Sequence, residues 1–136
     1  MNFLILAAGT RNKVVQYFKK TFEGIGTVVA TDVSKIAPAI YDAHKYYIVP
    51  PINNPGYIDI ILDICKKEQI NGVLSLIDPE LGLLAANRER FAEIGTTVIG
   101  SSYELCEIAI DKMQMYQWLI NHGYNCACLL YTSRCV

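Results

Sequence analysis

Five sets of residues carry groups that could do chemistry: Gly9-Thr10-Arg11, Asp32, Asp78 with Glu80, Lys112, and a scatter of His44, His122 and five cysteines. A glycine turn after an apolar run, with an acid 23 residues further on at Asp32, is the outline of a dinucleotide site. That fingerprint needs three glycines, for the turn, the approach to the pyrophosphate and the helix contact. The loop Gly9-Thr10-Arg11-Asn12-Lys13-Val14 has one. A Walker phosphate loop is excluded too, because Gly-Lys-Ser/Thr does not occur.

The remaining groups make no conventional catalytic set. His44 stands at the head of a strand-like run and His122 beside Gly123, where an imidazole commonly caps helix carbonyls, so both read as structural. Neither a nucleophile elbow nor a metalloprotease helix is present. Cys126-Ala127-Cys128 with Cys135 lacks the paired Cys-x-x-Cys spacing of zinc sites, and no metal is expected. With Cys65 and Cys106 the cysteines are odd in number, and two lie in helical patterns, which argues against a disulfide framework.

The elements that must position these groups follow from the apolar pattern. Asn2 to Ala8 is an apolar run without alternation, the mark of a strand covered on both faces in a parallel sheet. Val14, Val15, Phe18 and Phe22 then recur at helical spacing, and Gly24 to Gly26 ends that helix. Thr27–Thr31 is a second strand, closing on Asp32-Val33-Ser34; Ile36–Tyr41 contains Pro38 and is at most a short helix. His44–Val49 is a third strand, stopped by Pro50 and Pro51. A helix is expected over Tyr57–Glu68, a buried strand over Val73–Ile77, a helix over Leu81–Phe91 and a short strand over Thr97–Gly100. Ser101 or Ser102 caps a last helix running to Asn121.

Alternation of strand and helix prescribes a three-layer, Rossmann-like α/β domain with a mainly parallel sheet of about five strands. Four polar strand ends then share one sheet edge and form a cleft: Gly9-Thr10-Arg11, Asp32-Val33-Ser34, Asp78-Pro79-Glu80 and Gly100-Ser101-Ser102.

The 136 residues are 52% hydrophobic, enough for one packed domain. The net charge is -1 and no basic block stands out, so neither nucleic acid nor an anionic membrane is the expected partner. No apolar run approaches the length of a membrane span and no leader precedes the first strand, so a soluble, cytoplasmic protein is expected.

Lys112 is the anomaly. In a single last helix Leu105, Ile108, Lys112, Tyr116 and Leu119 fall at spacings of three and four, which puts an ammonium inside an apolar stripe. It either snorkels, pairs with Asp111 or Glu107, or faces an anion such as a phosphate.

The order from Gly72 onward carries a resemblance. A buried strand ends in Asp78-Pro79-Glu80-Leu81; then come Thr97-Val98-Ile99-Gly100, Asp111-Lys112 and Trp118-Leu119-Ile120-Asn121-His122-Gly123-Tyr124. This resembles the N-terminal, pre-ATP-grasp domain of ATP-grasp ligases, most of all the carbamoyl-phosphate-synthase large-chain-like and biotin-carboxylase-like members. The resemblance implies that Lys112 contacts ATP phosphates. It also implies an acceptor-side cleft for a small-molecule substrate, walled by Gly9, Thr10, Arg11, Asp32, Asp78 and Glu80. The parent would use ATP and Mg2+ to activate a carboxylate or bicarbonate-like acid as an acyl phosphate, which an amine or other nucleophile then attacks.

The second lysine, glycine-rich loop and metal-binding carboxylates of that family have no counterpart here. The expectation is a truncated piece whose missing partner is the ATP-grasp domain of its own parent chain. Alone it would be inactive, would not bind nucleotide tightly, and could self-associate. The alternative is a stand-alone Rossmann-like or flavodoxin-like nucleotide-binding or interaction module. The domain is expected to span residues 1–127. Residues 128–136 have no link to the preceding pattern and back-translate as a sequencing adapter joined to its reverse complement, so a non-native tail is expected; a genuine edge strand over Cys128–Thr132 is the alternative.

Overall fold

The computed structural model describes residues 1–126, so the expectations for the tail lie outside the described residues. Five strands form one all-parallel sheet in the order β3-β2-β1-β4-β5. They are β1 (Phe3–Leu6), β2 (Val28–Asp32), β3 (Lys45–Ile48), β4 (Gly72–Ser75) and β5 (Thr97–Val98). The helices are α1 (Asn12–Thr21), α2 (Tyr57–Glu68), α3 (Asp78–Ala86), α4 (Arg88–Glu93), α5 (Tyr103–Ile110) and α6 (Lys112–Asn121), with a 3-10 turn over Pro38–Asp42. The expected fold class holds.

β1 is central because its apolar run has to be covered on both faces. Leu4 and Leu6 enter a core with Ile61 and Cys65 of α2, Leu84 of α3 and Phe91 of α4. Ile5, between them, enters the opposite core with Val15 of α1 and Ala39 and Ile40 of the 3-10 turn. The period-2 alternation of a strand sends neighbours to opposite faces. Each such fully buried aliphatic side chain contributes about 1.5–3 kcal/mol. Phe3, Phe18 and Phe22 close the lower end as a ring cluster, with Phe3 and Phe22 stacked at 4.8 Å between centroids.

The edge strand β3 is tied to α2 by the buried Glu68, which accepts from Lys45 Nζ at 2.6 Å and from the Tyr47 hydroxyl. These bonds hold the Glu68 carboxyl below its usual range. His44 Nδ1 accepts from the Val28 N–H at 3.0 Å, so this histidine has a structural role.

Three expectations need correction. The helix expected over Leu81–Phe91 starts three residues earlier and divides at Asn87 into α3 and α4, so Asp78 to Glu80 is a first helical turn and not a loop. β4 ends at Ser75 and β5 at Val98, each two residues early.

The last helix divides as well. Asp111 adopts extended angles (φ -94°, ψ 109°) and caps α6 by accepting from the N–H groups of Met113 at 2.8 Å and Gln114 at 3.1 Å. Helical spacing does not carry across this break, and Lys112 is an exposed first residue of α6 instead of an intruder in an apolar stripe. Ser102 is the cap of α5, accepting from the Leu105 N–H at 3.3 Å. His122 ends α6 with Nδ1 at 2.8 Å from the Trp118 carbonyl, which is the capping role expected.

Among the described residues no helix is long and apolar enough to cross a membrane.

Candidate functional site

The strand order changes direction at β1, where β2 lies on one side and β4 on the other, and a cleft opens beyond the carboxyl ends of these strands. Ligands bind at such a switch point because the loops diverge there. The cleft holds about 240 Å³. Its polar lining comprises Gly9, Arg11, Asp32, Tyr57 and Glu80, and its apolar walls include Val33, Val49, Ile52 and Ile77.

The loop after β1 is bent sharply. Ala7 (φ 47°) and Gly9 (φ 55°) are both left-handed. For alanine that conformation costs about 1–2 kcal/mol, and strain of this kind collects at functional sites. It is held by the Ala8 N–H donating to the Thr31 carbonyl at 3.0 Å and the Ala39 N–H donating to the Gly9 carbonyl at 3.1 Å.

Asp32 sits against this bend. Its Oδ2 accepts from the Gly9 N–H at 2.8 Å and its Oδ1 from the Ser34 N–H at 2.9 Å. A Cβ on Gly9 would lie 3.3 Å from Arg11 Nη1, so the guanidinium and the Asp32 carboxylate flank the same glycine. Arg11 itself is exposed, and among the described residues no carboxylate pairs with it.

Glu80 is fully buried at the other wall. The first turn of α3 places it there, and its two oxygens are taken separately: the Tyr57 hydroxyl donates to Oε1 and the Ser75 hydroxyl to Oε2. Ser75 Oγ accepts in turn from the Ile77 N–H at 3.2 Å. Burial pushes the Glu80 carboxyl above its usual range; the two hydroxyl bonds oppose that shift and the Asp32 charge adds to it. Burial, and then the Glu80 charge, push the Tyr57 phenol well above its usual range, which keeps it a donor.

Of the residues singled out in the sequence, Gly9, Arg11, Asp32 and Glu80 are brought together in this cleft. Thr10 is exposed in the adjoining turn and Asp78 is exposed at the start of α3. Asp78 lines a separate groove of about 210 Å³ with Ser101, Leu105 and Cys106. The expectation that four strand ends share one cleft therefore holds for three: β5 is the outer strand, two positions from β1, and its Gly100-Ser101-Ser102 loop falls beside α3 and α5. Lys112 is not among the residues lining the cleft.

Tyr57 and Ser75 were not singled out from the sequence. A lone serine inside the apolar run Val73-Leu74-Ser75-Leu76-Ile77 was the available signal, because a buried hydroxyl must find a partner. Among the described residues no three His, Cys, Asp or Glu side chains converge to hold a metal ion.

A family model described as "PylC-like, N-terminal domain" matches residues 3–99. No curated protein sequence matches the chain significantly. Among solved structures, an N5-carboxyaminoimidazole synthetase from Staphylococcus aureus, complexed with ADP, is similar at a TM-score of 0.62 with 15% identity, over 90% of this chain and 30% of that one. An N5-carboxyaminoimidazole ribonucleotide synthetase from Thermotoga maritima is similar at 0.61 with 18% identity, over 90% and 31%. The biotin carboxylase domain of a single-chain bacterial carboxylase is similar at 0.60 with 13% identity, over 90% and 29%. The chain thus spans about a third of the length of these structures. At such identities the likeness is one of fold, and it agrees with the resemblance read from the sequence.

Proposed function

Because the chain belongs to the PylC-like N-terminal domain family, we propose that it is the acceptor-side domain of an ATP-dependent ligase of the ATP-grasp kind. The observation that carries this reading is the cleft at the β1, β2 and β4 ends. There Arg11, Asp32 and Glu80 line a volume of about 240 Å³, just under the range usual for small-molecule sites and so suited to a compact substrate. The parent enzyme would phosphorylate a carboxylate or bicarbonate-like acid with ATP, and an amine or other nucleophile would displace the phosphate.

In this division of labour the chain binds and orients the acceptor. Arg11 supplies a cation at the mouth of the cleft, while Asp32 and Glu80 supply acceptors held in place by their own hydrogen bonds. The described residues do not fit a Mg2+ site, since no three carboxylates converge. The remaining two thirds of the parent would hold the metal. ATP would supply the phosphoryl group. Toward it this chain offers Lys112, an exposed cation at the start of α6, whose role would be charge neutralisation. The free cysteines Cys65, Cys106 and Cys126 suit the cytoplasm, where ATP is at hand.

The test is ATP-dependent release of phosphate by a chain carrying the C-terminal region of the parent gene, followed with a panel of carboxylic acids and amines. Acid-dependent turnover is expected, with a Lys112→Ala variant raising the KM for ATP about tenfold or more, as loss of a charge-assisted contact does. Unchanged ATP binding in that variant would remove the role given to Lys112. Tight binding of NAD by the 136-residue chain would instead favour a stand-alone nucleotide-binding module.

A further inference from the structure

We propose that His44 is a pH-sensitive latch on the sheet: its neutral ring pins the head of the edge strand β3 to β2, and its charged ring turns into the neighbouring groove and lets that corner open. The contact is reciprocal. The His44 N–H donates to the Val28 carbonyl at 2.9 Å, and the Val28 N–H donates to His44 Nδ1 at 3.0 Å. A backbone N–H can only donate, so Nδ1 holds its lone pair toward Val28 and the hydrogen of the neutral ring sits on Nε2. Protonation puts a second N–H where that lone pair was. Two donors then face each other, and the ring has to turn away.

Val28 cannot follow it. This residue is fully buried at the start of β2, in register with Phe3 of β1. The β2–β3 register begins one residue later, at Val29 with Lys45, so the imidazole stands in for a strand carbonyl. Losing it leaves a buried N–H without an acceptor. The ring itself is exposed and has somewhere to go. His44 lines a polar groove of about 350 Å³ with Gln16, Lys19, Lys20 and Glu23 of α1 and Asp42 of the 3-10 turn. Hydrogen bonds from Asn12 and then Gln16, with the charges of Lys19 and Lys13 adding to them, hold the Asp42 carboxyl below its usual range, so it is an anion wherever an imidazole gains its proton. Asp42 and Glu23 attract the charged ring while Lys19 and Lys20 oppose it, so the groove admits the imidazolium without trapping it. Lys45, next along β3, is engaged by Glu68. The opening is local: Glu68 still clips Lys45 and Tyr47, and the Val49 N–H still donates to the Asp32 carbonyl at 3.0 Å at the far end of β3. The cleft at the carboxyl ends of the strands keeps its shape.

Amide hydrogen exchange of the isotopically labelled 136-residue chain, expressed as protection relative to the unfolded rate at each pH, tests the latch at about pH 7.5 and about pH 5, on either side of the imidazole range. Val28 should lose protection about fivefold or more on acidification, the scale of one lost hydrogen bond, while Ile5 in the central strand keeps its own. His44→Asn places an amide oxygen, which does not titrate, near the position of Nδ1, and should make Val28 indifferent to pH. His44→Ala should leave Val28 poorly protected at both. Nitrogen-15 spectra of the ring should show Nδ1 without a hydrogen at the higher pH and with one at the lower. Val28 protection that is the same at both pH values in the natural chain would overturn the latch, as would a neutral ring carrying its hydrogen on Nδ1. A loss in the asparagine variant equal to that of the natural chain would assign the opening to another group and overturn it too. The two measurements on the natural chain stand whether or not the variants fold.

Discussion

Glu80 combines two things that rarely coexist, full burial and a titratable charge, and its linkage to folding can be signed. Burial raises its carboxyl above the usual 4.5, so its contribution to stability is complete below that pH and is lost as pH rises through the folded-state value. Glutamine at this position does not titrate. The stability difference between the natural chain and Glu80→Gln should therefore shift in favour of the variant on going from pH 4 to neutrality. The scale is roughly 1.4 kcal/mol for each unit by which the folded and unfolded values differ. Denaturant unfolding of both proteins across that range measures it, and a difference independent of pH would mean that Glu80 is not raised. Asp32 and Glu80 were legible in the sequence because acids at the ends of buried strands stand out. Their fixing partners were less so. Tyr57 reads as an ordinary first residue of an amphipathic helix, and only the fold brings its hydroxyl to a side chain 23 residues away.

Elements whose apolar residues run unbroken were the most legible: β1 as a strand covered on both faces of a parallel sheet followed from its apolar run, whereas the strand order came only with the fold. The break between α5 and α6 was missed because Leu105, Ile108, Tyr116 and Leu119 keep helical spacing on both sides of it. The contrary signal was present in Asp111-Lys112-Met113-Gln114, an N-cap acid followed at the third position by glutamine. Gln114 Nε2 indeed donates to Asp111 Oδ2 at 3.3 Å, and the two backbone bonds lead the effects that keep the Asp111 carboxyl below its usual range. Replacing Asp111 by alanine removes the acceptor for two N–H groups at once. Amide hydrogen exchange of Met113 and Gln114 should accelerate about fivefold or more, the usual consequence of losing a cap, while Cys106 inside α5 keeps its rate. Equal rates at Met113 and Gln114 before and after the substitution would mean that the cap does not hold the start of α6.

At the scale of the molecule the two ends of the chain are unequally covered. β1 is sealed on both faces, whereas α6 has no buried residue, although it carries Met113, Trp118, Leu119 and Ile120. A ten-residue helix is marginal in water without a packed face, and among the described residues α6 packs mainly on α5. Ile110, Met113, Ile120 and Tyr124 remain exposed at this end. In the proposed parent the rest of the enzyme covers them. In the 136-residue chain by itself a second copy of the same patch is the expected cover. Light scattering should therefore show an apparent mass that rises with concentration. Met113→Ser with Ile120→Ser should lower it toward the monomer, since both positions are exposed and their loss leaves the sheet and its two cores untouched. A monodisperse monomer at high concentration would mean that the contacts α6 makes within its own chain suffice to stabilise it. The apolar residues of that helix would then need a different reason for being there.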